Sequence, residues 1–234
     1  MPVLTIGHVS TSVRQACRTC RGPVGAGYAQ CFQCDLASRE APGLLADAVV
    51  PIAYAVKGGD LARDLRWYKS GRDDATQARE RLQEMLATFL CSRGESVWRV
   101  AGMAGAPTAV AVVPSGQGRP GDHPLLRVVR AVTAPLPVVP LCIRPEGAAR
   151  GRAVSAEWLR VAGRVAGLDM LLIDDTWVSG ASAQSAAVAL KLAGAARVAV
   201  VVLGRHIDPA DPRTADFVRA ISGPSMLKLF HSPD

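Results

Sequence analysis

Residues 169–182, DMLLIDDTWVSGAS, set two adjacent carboxylates, Asp174 and Asp175, at the end of an apolar run and follow them with a short loop of hydroxyl residues and glycine. Taking a carboxylate out of water is costly unless something pairs with it, so a core strand ending on two of them needs a reason. The loop from Thr176 to Ser182 feeds a helix predicted to begin near Ala183, and a helix start offers backbone N–H donors and a positive dipole end that suit a phosphate monoester. Acids beside a phosphate would repel it, unless they accept hydrogen bonds from sugar hydroxyls or act through a divalent cation. A ligand carrying a ribose diol and a phosphate on one face meets both demands.

A second group able to do chemistry lies near the start of the chain. CRTC (Cys17, Cys20) and CFQC (Cys31, Cys34) are separated by ten residues. Each C-x-x-C knuckle presents two sulfurs to one ion, and the intervening GPVGAG can turn the chain back, so the spacing predicts a tetrahedral zinc site. Such a closed four-thiolate site leaves no position for substrate, which makes the metal structural. Thiolates around a divalent ion also leave net negative charge, so the metallated chain would be less basic than its residues suggest. Two disulfides would require an oxidising compartment, and a C-x-x-C redox centre needs one such motif beside a βαβ unit. Cys91 and Cys142 lie in apolar surroundings and are expected to be free buried thiols.

The segment LLIDDTWVSGAS resembles the phosphoribosyl pyrophosphate (PRPP) motif of type I phosphoribosyltransferases: an apolar strand, two acids, then a Thr/Ser-rich loop with glycine. The resemblance implies that Asp174 and Asp175 contact the ribose hydroxyls at the catalytic centre, and that Thr176, Ser179, Gly180, Ala181 and Ser182 cradle the 5′-phosphate. Val178 departs from the motif, which usually carries a hydroxyl there, so weaker binding is expected. The cysteine ribbon, then YAVKGGDLARDLRWYKSGRD, then the strand-rich remainder, is similar over nearly the whole chain to the ComF family of phosphoribosyltransferase-fold proteins.

That fold implies a second loop for pyrophosphate, for which VVPSGQGRPGDHP is placed, with Ser115, Gly116, Gln117 and Gly118 allowing close backbone approach and Arg119 adding charge. Glycine and proline there also serve simple turns. It implies a hood over the reacting centre, matched by Ile143 to Trp158 with Arg144, Arg150 and Arg152. The activity implied is displacement of pyrophosphate from PRPP by a nitrogen nucleophile, with magnesium. A receiver-like domain would also carry paired acids, but near its first strand, and its further Asp and Lys have no counterpart here.

The elements that must position these groups follow from the hydrophobic pattern. AVVPIAYAV reads as a strand ending at Lys57, and DLARDLRWYKSGRDDATQARERLQEMLATFL has helical spacing broken near Gly71. From Pro107 onward, strand, loop and helix repeat: TAVAVVP, LLRVVRAV, LPVVPLCI, DMLLIDD, AQSAAVALKLAGA and RVAVVVLG. Strands apolar throughout, alternating with helices, predict an α/β protein: an open doubly wound parallel sheet of the type I phosphoribosyltransferase kind behind a small zinc ribbon. The expected division is ribbon and linker over residues 1–44 and the phosphoribosyltransferase-like domain over 45–234. His206 and Asp208 read as local turn or core residues.

The net charge of +7 and pI near 9.4 point to an anionic partner, although the Arg-, Ala-, Gly- and Val-rich composition of a GC-rich genome gives the same balance. The basic and aromatic residues Arg63, Arg66, Trp67, Tyr68, Lys69 and Arg72 support an alternative reading, a non-catalytic accessory that handles single-stranded DNA of the kind ComF relatives are linked to in competence. The N-terminal residues lack a basic start followed by an apolar core, and Lys191 and Arg197 interrupt the longest apolar run, so a cytoplasmic protein without membrane insertion is expected. Oligomerisation is compatible with this pattern.

Overall fold

The computed structural model describes residues 16–70, 74–114, 123–144 and 153–222. In chain order its elements are α1 (Phe32–Glu40), β1 (Ala48–Val56), α2 (Asp60–Trp67), α3 (Ala75–Val100), β2 (Ala109–Val112), α4 (Pro124–Thr133), β3 (Leu141–Ile143), β4 (Leu159–Val161), β5 (Asp169–Trp177), α5 (Ala181–Leu192), β6 (Arg197–Ile207) and α6 (Ala215–Ser222), the last preceded by a 3-10 turn at Pro212–Thr214. Among the described residues, no helix is long and apolar enough to cross a membrane.

Four strands form a parallel sheet in the order β1-β6-β5-β2. The continuous apolar runs of β5 and β6 are explained by cover on both faces. Along β5, Leu171 and Ile173 face a layer made by α2, α3 and α4, where Leu65, Leu82, Leu86 and Val128 are buried. Met170 and Leu172 face the other layer, where α5, Trp158, Leu159 and three of the cysteines pack. Small residues let α5 lie close to the sheet: Ala183, Ala186 and Ala187 are fully buried. β1 contains Pro51, which has no N–H for a ladder; its place at the sheet edge accommodates this.

Strand direction around the sheet locates the crevice. Past β2, Val138 makes one more parallel bridge, to Val110, reached through α4 on one face. From β5 the chain goes the other way, to β6, through α5 on the opposite face. The order therefore reverses between β2 and β5, and in open sheets ligands bind beyond the carboxyl ends of the strands at such a point.

The predicted strand in LPVVPLCI is divided in two. Pro137 and Pro140 supply no N–H to a ladder, so this segment joins the main sheet through a single bridge at Val138, whose two bonds to Val110 come from Pro137 O and Val139 N–H, while Leu141–Ile143 turns away to pair antiparallel with Leu159–Val161. The helical segment after β1 splits as expected, with α2 ending before Gly71 and α3 starting after it. Arg81 joins the two helices through a bidentate pair with the buried Asp64, 2.6 and 2.8 Å. Contrary to expectation, Cys91 is exposed and Cys142 only half-buried, because Cys91 lies on the outer face of α3 and Cys142 in the small hairpin.

Candidate functional site

Asp174 and Asp175 sit at the carboxyl end of β5, but they do not leave the core as the sequence suggested. The strand continues through Trp177, and the two acids are 9% and 8% exposed. Pairing explains how they are tolerated. The Asp175 N–H donates to Asp174 Oδ1 at 2.9 Å. Asp175 Oδ2 accepts the Tyr68 hydroxyl and lies 2.5 Å from Lys69 Nζ. Burial, reinforced by the negative charge of Asp175, pushes the Asp174 carboxyl up to about 8. The pair is asymmetric: Asp175 faces a cation, whereas burial and the Asp175 charge favour the protonated form of Asp174.

Tyr68 caps the C-terminus of α2 and Lys69 follows it; the alternative, DNA-handling reading counts both among its basic and aromatic residues. Tyr68 is 1% exposed, held in the core under the acids. No local pattern pointed to this, because the contact joins residues 107 positions apart.

From Trp177 the turn 178–180 enters α5, whose first residue is Ala181, two earlier than the sequence indicated. Gly180 occupies the N-cap at φ +86°, and a Cβ there would lie 2.1 Å from the Trp177 ring, so both backbone and packing demand glycine. Glycine provides no side-chain cap, while Ser179 Oγ accepts the Ala181 N–H at 3.3 Å. Thr176, Ser179 and Ser182 are half-buried around this turn, and Val178 is 61% exposed. The structure thus brings Asp174, Asp175, Thr176, Ser179, Gly180, Ala181 and Ser182 together on one strand end, turn and helix start.

Ser115, Gly116, Gln117 and Arg119 lie outside the described residues, as do Arg150, Arg152 and Arg72. The segment before the first of these is anchored beside the acids, since the Val113 N–H donates to Ile173 O at 2.9 Å. Arg144 is spent on the small hairpin, where its Nε donates to Leu159 O at 2.9 Å.

A cleft of about 390 Å³ opens next to Thr176, lined also by Lys57, Arg63, Arg66, Trp67 and His206. The Gly58–Gly59 turn between β1 and α2 also lines it. Arg63 lies over the Trp67 ring, and Lys57 pairs with Asp208 at 2.9 Å. Burial and the neighbouring Arg205 charge hold His206 below the usual histidine pKa. Sequence reading missed this cleft; the signal was AVKGG, an apolar strand running into a lysine and paired glycines before a helix.

On the α5 side of the sheet, in one apolar cluster with Trp177, the sulfurs of Cys17, Cys20, Cys31 and Cys34 all lie within 4.8 Å of one another, a set able to hold one metal ion. Arg21 at φ +56° and the Cys17 N–H to Gly22 O bond of 2.8 Å shape the first knuckle, and α1 carries Cys34. The ribbon docks on the sheet through the Tyr54 hydroxyl, which donates to Arg21 O at 2.9 Å.

No family model and no curated protein matches the chain. Among solved structures it is similar to adenine phosphoribosyltransferase from Leishmania tarentolae (15% identity over 73% of this chain and 83% of that one, TM-score 0.40) and to a phosphoribosyltransferase from Corynebacterium diphtheriae (18%, 75% and 94%, TM-score 0.35). It is also similar to phosphoribosylpyrophosphate synthetase from Mycobacterium smegmatis at 20% identity over 57% of this chain, with TM-score 0.34; there it spans only 37% of the other chain's length.

Proposed function

We propose that the chain is a ComF-like, phosphoribosyltransferase-fold protein that binds PRPP or a related ribose phosphate at the carboxyl end of β5, with residues 1–44 forming a zinc-bearing ribbon ahead of the domain at 45–234. The observation that carries this is the juxtaposition of two nearly buried acids with a glycine-capped helix start on one continuous strand end. Asp174 and Asp175 hydrogen-bond the ribose hydroxyls, while the N–H groups of Ala181 and Ser182 and the hydroxyls of Thr176, Ser179 and Ser182 hold the 5′-phosphate. The loop after Pro114, with Ser115, Gly116, Gln117 and Arg119, takes the pyrophosphate. Magnesium bound with the pyrophosphate would supply charge neutralisation on the leaving group.

With a nitrogen nucleophile in the neighbouring cleft, the new bond forms at the anomeric carbon as the bond to pyrophosphate oxygen breaks. The protein's part is positioning and charge stabilisation. His206 lines that cleft, and burial, which lowers its pKa, favours the neutral imidazole suited to accept the proton the nucleophile loses. A His206→Gln variant that turns over as fast as the parent would remove that role.

The single-stranded DNA alternative has less support, since Tyr68 is buried against Asp175 and offers no face for a base. The deciding experiment is calorimetric titration of the metal-loaded protein with PRPP and magnesium, beside the Asp174→Asn/Asp175→Asn double variant. Binding that the variant loses supports the proposal. Absence of PRPP binding, at concentrations where single-stranded DNA binds, refutes it in favour of the accessory role.

A further inference from the structure

Arg205 lies near the end of β6 and is 8% exposed. Its Nη1 donates to Trp177 O at 2.9 Å and to His206 O at 2.7 Å, while Nε is buried without a partner among the described residues. Neither bond goes to a carboxylate. A buried guanidinium bonded only to carbonyls is costly, because those dipoles replace only part of its hydration.

The guanidinium rests against Gly22, where a Cβ would fall 2.3 Å from Nη2 and 2.6 Å from Nε. Gly22 belongs to the first cysteine knuckle, its carbonyl accepting the Cys17 N–H. Cys17, Cys20 and Cys34 are themselves buried, so thiolates around a divalent ion would bring net negative charge into the same low-dielectric region.

We infer that Arg205 is the internal counter-charge of the four-cysteine metal centre, a positioning residue that matches the excess thiolate charge and ties the centre to the end of β5. Glycine at position 22 is the complement of this role, since a larger residue would push the guanidinium off the knuckle. Metal and cation each offset the other's burial. Each is therefore more costly to keep alone than in the pair.

The inference rests on metal binding by the cysteines, and its test separates the two. Zinc content and affinity of the full chain are measured by competition with a chromophoric chelator, for the parent, Arg205→Met and Arg205→Lys. Thermal unfolding is followed for each protein with and without zinc. Arg205→Met is expected to lose about ten- to a hundredfold in zinc affinity, as loss of outer-shell partners does, and Arg205→Lys to restore most of it. The zinc-loaded Arg205→Met protein should melt lower than the loaded parent, whereas its metal-free form should melt no lower than the metal-free parent, because the unpaired buried charge is gone. A residue serving only its two carbonyl bonds would lower both forms alike, and that result overturns the inference while leaving the metal site standing. A parent that binds no zinc overturns both.

Discussion

Lys69 Nζ lies 2.5 Å from Asp175 Oδ2, and the same oxygen accepts the hydroxyl of Tyr68, the residue before it in sequence. Two consecutive residues just past α2 thus fix the rotamer of one acid on a strand more than a hundred positions later. Ligand contacts gain from such fixing, since an acid already oriented loses little freedom when a sugar hydroxyl arrives.

Tyr68→Phe keeps the ring packing and removes only the hydroxyl. It should lower stability by about 2 kcal/mol, the usual worth of a buried bond to a carboxylate. It should also weaken PRPP binding several-fold while leaving inorganic phosphate binding at the turn into α5 unchanged. Urea unfolding and parallel titrations with the two ligands check this; equal losses for both ligands would mean that Tyr68 acts on the whole site.

Asp174 predicts a pH dependence of definite sign. Its folded pKa of about 8 lies above the ordinary carboxyl value of 3.8. Between those values the unfolded chain releases a proton that the folded chain retains, so this group's contribution is fully present below the ordinary value and is lost as pH rises toward 8. The slope is at most about 1.4 kcal/mol per pH unit. Asp174→Asn lacks it. Stability of the variant relative to the parent should therefore increase from pH 5 to pH 8, as read from denaturant midpoints in one buffer series; a constant difference would show that Asp174 titrates as an ordinary acid.

Gly180→Ala should be severe, for two additive reasons. The left-handed backbone at φ +86° disfavours any Cβ, and the Trp177 ring occupies the place where it would go. Strain of this kind costs on the order of 1–3 kcal/mol before any rearrangement. Relief requires Trp177 to move or the first turn of α5 to open, and either one disperses the N–H groups proposed for phosphate. A melting temperature lowered by several degrees together with loss of phosphate binding is expected; unchanged phosphate affinity would place that ligand elsewhere.

Most of the framework was legible because it rests on local rules. The apolar runs of β5 and β6, the small-residue helix α5 between them and the paired C-x-x-C knuckles each announce themselves within a dozen residues. What escaped depends on distance. Nothing near Tyr68 shows that a buried acid waits for its hydroxyl, and nothing in AVKGG shows that Thr176 and His206 close the same cleft. The acids were expected at the strand's exit and lie inside it, because Trp177 extends β5 to close against Gly180. Prolines 137 and 140 were in plain sight, yet their effect on strand pairing became clear only with β4 beside β3.

Removal of metal should destabilise the whole described body and not the ribbon alone. Cys17, Cys20 and Cys34 share one apolar cluster with Met170, Leu172, Val200 and Ala187, so loosening them uncovers the face of the sheet on which α5 packs. Gln184 and Lys191 of α5 are also latched to Ala46 and Asp47, just past the ribbon. Stripping with a strong chelator, or Cys20→Ser, should therefore shift a single cooperative unfolding transition to lower temperature, with far-ultraviolet and tryptophan signals moving together. Trp177 is a good reporter, being buried in the cysteine cluster itself. A small early transition followed by an unshifted main one would instead mark the ribbon as an independent unit, with no part in holding β5 and its acids in place.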